Sequence, residues 1–214
     1  MEFLPDDLVA YIENHTSAES ELMAKLNRET HLKVLKPRML SGHLQGKFLT
    51  FLTQLLRPKN ILEIGTYTGY SAMAFLEGMT DEAHLVTIDN NEELKPIHEQ
   101  FLLQHPRAKQ LSVRIGNALE IIPTLEQSFD LVFIDADKPN YSNYFNAVID
   151  KMPIGGILLA DNVLWSGKVV EPIKSNDKST NALLAFNKEI HENNRVENVL
   201  IPIRDGIMAA RKVK

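Results

Sequence analysis

The chain has 214 residues, of which 44% are hydrophobic and 24% charged, ordinary values for a soluble globular domain with room for a large core. Its formal net charge of −5 supplies no basic field for nucleic acid, and the absence of cysteine excludes disulfides and thiolate metal sites. No apolar run approaches the ~20 residues that a membrane helix needs, and "MEFLPDDLVAYIENH" lacks the basic and apolar regions of a signal peptide. The expectation is a single cytoplasmic domain over 1–214, with no membrane or nucleic-acid partner.

Residues 1–58 read as a helical cover. Pro5 and Asp6 open a helix that runs to about His15. Thr16 and Glu19 have capping-box spacing and predict the start of a second helix, ended by Pro37. Ser41 is the predicted cap of a third, whose stripe of Leu44, Phe48, Leu52, Leu55 and Leu56 is expected to pack on a sheet. From 59 to 214 the rhythm becomes strand, turn, helix. Strands are predicted at 60–65, 84–89, 111–116, 129–135 and 155–160, with Asn90/Glu93 and Asn117/Glu120 as cap-and-acid pairs after strand ends. That alternation implies a parallel sheet covered on both faces. The polar stretch 171–180 reads as a loop. In the tail, "ENVLIPIR" and "GIMAARKV" flank Asp205-Gly206, a hairpin signal that predicts an antiparallel edge pair.

Two strands end in acids at matching places. "DLVFIDADK" releases Asp135, Asp137 and Lys138, and "GGILLADN" releases Asp161 and Asn162. The C-terminal edge of such a sheet is where ligands bind, and carboxylates with a carboxamide there form an oxygen-rich site for a hard divalent cation. In "ILEIGTYTGYSA", Gly65 and Gly69 permit a sharp turn and close approach to a ligand, and Asp89 at the next strand end can accept from ribose hydroxyls. The G-x-G-x-x-G fingerprint of NAD binding is absent, as is a P-loop. Glu63 would repel a pyrophosphate but attract a cation, which together with Asp89 fits S-adenosylmethionine, a phosphate-free sulfonium with an amino group and a ribose.

The segments "EIGTYTGYSA", "GNALE", "FIDADKPNYSNY" and "LLADNVLWSGKV" resemble the cation-dependent class I O-methyltransferases, the group of catechol and caffeoyl-CoA O-methyltransferases, over about residues 37–212. The resemblance implies a three-layer Rossmann-like methyltransferase fold, with a seven-stranded, mostly parallel sheet, an antiparallel edge hairpin and extra N-terminal helices. It implies an S-adenosylmethionine pocket formed by Met39, Ser41, Glu63, Gly65 and Thr66, and further by Tyr67, Ser71, Asp89, Ala118 and Asp137. Asp135, Asp161 and Asn162 match the ligands of Mg²⁺ (or Mn²⁺ or Ca²⁺). Lys138 matches the group that takes the acceptor's proton or stabilises the phenolate, with Asp135 beside it. Met39, Lys138 and Trp165 would meet the acceptor. Tyr141 and Tyr144 read as packing residues. Two positions depart from the family: Asn117, where many relatives carry Asp, and Ser166, where plant caffeoyl-CoA enzymes carry Asn.

The function expected is methyl transfer to a hydroxyl of a small catechol-like vicinal diol by a homodimeric enzyme. The alternative is a tRNA hydroxyuridine O-methyltransferase on the same framework, for which Lys33, Lys36, Arg38 and Lys47 could touch phosphate. An NAD-dependent oxidoreductase and a non-catalytic binding module are the remaining readings.

Overall fold

The computed structural model describes residues 4–172 and 176–214. Three helices precede the sheet. α1 (Asp6–Asn14) begins after Pro5 as its sequence predicts and buries none of its residues. α2 (Glu21–Lys33) starts later than the Thr16/Glu19 spacing predicts. Ser20 is its cap, the hydroxyl accepting from the Met23 N–H at 3.2 Å. Thr16 donates back to the Ile12 carbonyl at 2.8 Å, and the Glu19 carboxylate accepts from the Tyr70 hydroxyl. A tertiary partner has thus taken the acid that a capping box would use. α2 ends at Lys33, before Pro37, which instead opens the short 3-10 turn Pro37–Met39.

α3 (Gly42–Leu56) corrects the predicted stripe. Ser41 stands at its N-terminus with helical dihedrals and makes no capping bond. The buried face is Gln45, Gly46, Leu49, Thr50 and Thr53. Leu44, Phe48 and Leu52 are only half-buried, and Leu55 and Leu56 are exposed. Close helix approach decides the matter: a Cβ on Gly46 would stand 2.8 Å from the Tyr70 ring, and one on Gly78 would stand 2.6 Å from the Thr50 carbonyl. Gly46, Thr50 and Thr53 meet α4 (Tyr70–Gly78) and the leucines of the predicted stripe turn outward, while Leu49 stays buried.

The remaining elements alternate: β1 (Asn60–Ile64), α4 (Tyr70–Gly78), β2 (His84–Asp89), α5 (Lys95–Phe101), β3 (Leu111–Ile115), α6 (Ala118–Ile121), β4 (Leu131–Ile134), α7 (Tyr141–Val148), β5 (Ile157–Ala160), α8 (Lys178–Glu192), β6 (Val196–Ile201) and β7 (Ile207–Lys212). The seven strands lie in the order β3-β2-β1-β4-β5-β7-β6. β1 to β5 are parallel, and β7 is inserted antiparallel between β5 and β6. The central strands read as apolar runs because both faces are covered. Leu62, Val86, Val132 and Leu158 face one core with Tyr141, Phe145 and Phe186. Ile61, Leu85, Phe133 and Leu159 face the other with Met23, Leu49 and Phe75.

Local signals were displaced in three further places. Asn91, not Asn90, caps the turn after β2, its side chain accepting from the Glu93 N–H at 3.0 Å. Asn117 caps α6 as expected, accepting from Leu119 N–H at 3.0 Å. The polar loop stops at Asp177, whose carboxylate caps α8 at Thr180; residues 173–175 lie outside the described residues. The tail is no two-residue hairpin. β6 stops at Ile201, and residues 202–206 form a five-residue connection in which Arg204 (φ 50°) and Gly206 (φ 85°) take left-handed conformations. Pro202 has no N–H to continue the ladder.

The chain runs outward from β1 to β3 and then crosses back to β4, so β1 and β4 meet at the topological switch point. Each strand end is fixed by one extra rung: Gly65 N–H donates to Ile88 O at 2.8 Å, Asp135 N–H to Ile64 O at 2.8 Å, and Asp161 N–H to Ile134 O at 2.9 Å. At the centre, a Cβ on Gly65 (φ 100°) would lie 2.1 Å from the Asp135 carbonyl oxygen. Gly65→Ala should therefore lower the unfolding free energy by at least about 2 kcal/mol, through dihedral strain and overpacking together. Urea denaturation checks this; a loss under about 0.5 kcal/mol, the size of a neutral surface change, would contradict the close approach.

Candidate active site

A cavity of about 950 Å³ opens over the C-terminal ends of β1, β2, β4 and β5, at the upper end of the size of ligand sites. Asp135, Asp161 and Asn162 all line it, brought together because β4 and β5 are neighbours and both acids follow directly on the strand. Asp161 is 2% exposed. Its Oδ2 accepts from Gln45 Nε2 at 2.7 Å and its Oδ1 from the Asn162 N–H at 2.7 Å. Burial, and then the Asp135 charge, push Asp161 up to about 7, against the opposing pull of Gln45, Lys138 and Arg204. Lys138 reaches in from the next turn. Its Nζ lies 3.1 Å from Asp135 Oδ1, donates to the Tyr141 hydroxyl at 2.7 Å, and stands 5.9 Å from the Trp165 ring centroid. Tyr141 then donates to the Asp161 carbonyl at 3.0 Å. Tyr141 and Tyr144 thus do more than pack: Tyr144 donates to Asp137 Oδ1 at 2.5 Å.

The other half of the cavity belongs to the glycine turn. Tyr67 (φ 49°) donates its N–H to Asp89 Oδ2 at 2.6 Å, and its carbonyl meets His98 Nε2 at 2.6 Å. Asp89 Oδ1 accepts from the Asn91 N–H at 2.8 Å, so in this state the acid holds two loop amides. Of the residues that the resemblance names, Met39, Gly65, Tyr67, Asp89, Ala118, Asp137, Lys138 and Trp165 line the cavity. Ser41, Glu63, Thr66 and Ser71 do not; they lie buried behind the lining. Glu63 is the most notable of these. It stands on β1 between Thr87 and Phe133, fully buried, with Oε2 accepting from Thr87 and Oε1 without a partner. Burial pushes it up to about 8, with the Asp135 and Asp89 charges adding and the Ser71 and Thr87 hydroxyls opposing.

Sequence reasoning missed Gln45, Arg204 and Asp205. Arg204 and Asp205 line the cavity from the β6–β7 connection; Asp205 was read only as a turn residue. A polar residue on the inward side of α3 was a signal for Gln45, hidden by the leucine stripe. Among the described residues six non-glycine residues have positive φ, and Tyr67, Asn162, Trp165, Ser166 and Arg204 of them line the cavity. Strained backbone of this kind concentrates at functional sites.

This sheet order, with a cavity over the strand ends at the switch point, fits a Rossmann-like methyltransferase. Comparison with known proteins agrees. A family model described as O-methyltransferase matches residues 13–213. Caffeoyl-CoA O-methyltransferase 2 of Eucalyptus globulus is 34% identical, covering 91% of this chain and 83% of the relative. Among solved structures, the O-methyltransferase TomG of Streptomyces achromogenes in complex with S-adenosylmethionine superposes with TM-score 0.89 at 26% identity, covering 97% of this chain and 96% of that one. An O-methyltransferase of Bacillus cereus in complex with S-adenosylhomocysteine gives 0.86 at 27% identity, over 95% and 96%. The chain belongs to the O-methyltransferase family. Its activity is S-adenosylmethionine-dependent O-methyl transfer. No helix among the described residues is long and apolar enough to cross a membrane.

Glu63 ordinarily titrates near 4.5 and here near 8. Between those values the folded chain keeps a proton that the unfolded chain has released, so stability falls as pH rises through that window. Asp161 acts in the same direction. Thermal melts of the ligand-free protein should therefore drop between about pH 5 and 8.5, and the drop should be clearly smaller in Glu63→Gln. Parallel curves for the two proteins would show that Glu63 titrates normally.

Proposed function

We propose that the chain transfers the methyl group of S-adenosylmethionine to one hydroxyl of a small vicinal diol, with a divalent cation held by Asp135, Asp161 and Asn162. The observation that carries this reading is the convergence of those three oxygen donors on one cavity beside the glycine turn. The donor set fits a hard cation. Two carboxylates and one amide oxygen are what Mg²⁺, Mn²⁺ or Ca²⁺ accepts, and the repulsion that Asp135 exerts on Asp161 is one that a cation relieves. Among the described residues no group of three or more His, Cys, Asp or Glu could hold a metal, so this reading relies on the Asn162 carboxamide as its third donor. On the donor side, the Asp89 carboxylate lines the cavity beside the glycine turn and fits a ribose-bearing ligand.

A cation bound there supplies Lewis-acid polarisation and a template for two adjacent oxygens. The chain's own residues do the rest. Lys138 sits against Asp135 and Tyr141, where it either takes the hydroxyl proton as the neutral amine or, as the ammonium, stabilises the oxyanion left when that proton goes to solvent. The oxygen–carbon bond forms as the carbon–sulfur bond breaks, and that electron pair goes to sulfur. Trp165 and Met39 flank the acceptor. The Trp165 indole N–H, buried without a partner, offers it a donor. The expected homodimer is part of this proposal; Phe51, Leu55 and Leu56 leave an exposed apolar face on α3, and sedimentation would show the state.

Chelation with EDTA should abolish transfer to a catechol and leave S-adenosylhomocysteine affinity largely intact; full activity without metal would defeat the cation reading. Asp161→Ala should fail in the same way, whereas Asp89→Ala should chiefly weaken cofactor binding, as calorimetry would separate. Lys138→Met should lower kcat by about 10²–10⁴. Lys36 and Arg38 also line the cavity, which keeps the tRNA acceptor in the test: methyl transfer to tRNA alone would replace the diol.

A further inference from the structure

Asp161 is gripped from a part of the chain that neither strand end accounts for. Gln45 is fully buried on α3, yet its amide nitrogen donates to Asp161 Oδ2 at 2.7 Å. Its Oε1 faces Arg204 Nη1 at 3.4 Å. Arg204 stands in the left-handed region at φ 50° in the β6–β7 connection, and the same Nη1 donates to the Leu40 carbonyl at 3.0 Å and to the Ser41 carbonyl. The polarity of this chain is fixed. An amide flip would set NH₂ against a guanidinium and a carbonyl against a carboxylate. The Asn162 N–H holds the other Asp161 oxygen at 2.7 Å. One donor on each oxygen sets the plane of the carboxylate and leaves lone pairs on both.

We propose that Gln45 and Arg204 are positioning residues that hold the Asp161 carboxylate in the orientation a divalent cation needs; this rests on the cation reading above. A buried glutamine is costly to keep on an apolar helix face unless both ends of its amide are used. Here both ends are used, and one of them is spent on the candidate ligand. The geometry also explains why a non-glycine residue tolerates the strained Arg204 backbone: its guanidinium gathers three oxygens across the gap between the helical cover and the sheet.

The test uses the full chain and Mn²⁺ as probe, read by electron paramagnetic resonance, with thermal melts and S-adenosylhomocysteine calorimetry alongside. Gln45→Met keeps length and bulk but loses both bonds. It should weaken Mn²⁺ binding by about 10–100-fold, the range for hydrogen-bond partners of metal ligands, while S-adenosylhomocysteine affinity holds. Arg204→Met should weaken Mn²⁺ in the same direction by less. A merely structural tie would lower the melting temperature and leave Mn²⁺ affinity alone. Wild-type affinity in a folded Gln45→Met overturns the proposal and leaves the cation reading standing. No Mn²⁺ binding by the wild type removes both. If Gln45→Met does not fold, the half-buried Arg204 carries the test, and unchanged Mn²⁺ affinity in Arg204→Met overturns the proposal.

Discussion

The backbone of Gly65 runs so close to the Asp135 carbonyl that a side chain there would stand 2.1 Å from the oxygen, and the floor of the cavity takes its shape from that contact. At a switch point the two central strands part toward helices on opposite faces, and a crevice opens between them. Its width depends on how closely the two departing backbones can lie. Glycine lets them touch, so the turn that carries Tyr67 and the turn that carries Lys138 leave the sheet from nearly the same place. The extra rungs from Gly65, Asp135 and Asp161 then extend the parallel ladder one residue past its nominal end. Acids on those rungs are positioned as firmly as strand residues, although they face a cavity.

Rigidity here has an electrostatic consequence. Glu63, Asp89, Asp135, Asp137 and Asp161 crowd one edge of the sheet, and Lys138 is a cation in hydrogen-bond contact with one of them, Asp135. Desolvation and mutual repulsion push Glu63 and Asp161 upward. Beside the buried Asp161, a positively charged ligand offsets the repulsion from Asp135. A sulfonium donor and a divalent cation are both of that kind. The glycine turn has no phosphate fingerprint.

Much of this was legible in the residues because it is local. Strands β1, β2, β4 and β5 are short apolar runs ending in Gly or acid, and the sheet places runs of that kind side by side. Asp135 and Asp161 could be paired from sequence since parallel neighbours in register carry matched ends to the same edge. The helical cover was harder to read. The stripe Leu44, Leu52, Leu55 and Leu56 follows a helical period, yet the buried face is Gln45, Gly46, Leu49, Thr50 and Thr53, with α4 close against Gly46, Thr50 and Thr53. Glu19 looked like half of a capping box but its carboxylate is taken by Tyr70, 51 positions away. The Asp205-Gly206 pair kept its turn character but lost its two-residue hairpin, since Pro202 stops β6 early. In each case a long-range contact outweighed a signal that only neighbours in the chain could set.

The five-residue connection that replaced the expected hairpin is also the most consequential of these differences. Its Arg204 reaches the Leu40 and Ser41 carbonyls, while Asp205 accepts from Leu164 N–H through its carbonyl at 2.8 Å and from Ser166 N–H through its carboxylate. Gly206 O accepts from Val163 N–H at 3.1 Å. Three successive residues near the end of the chain therefore hold both the helical cover and the segment after β5. A tight two-residue turn would be too short to make these contacts. The antiparallel insertion of β7 beside β5 brings this connection to the ligand edge of the sheet, since β7 begins where β5 ends. The added strand thus supplies the third wall of a crevice that five parallel strands alone would leave open on the Asp161 side.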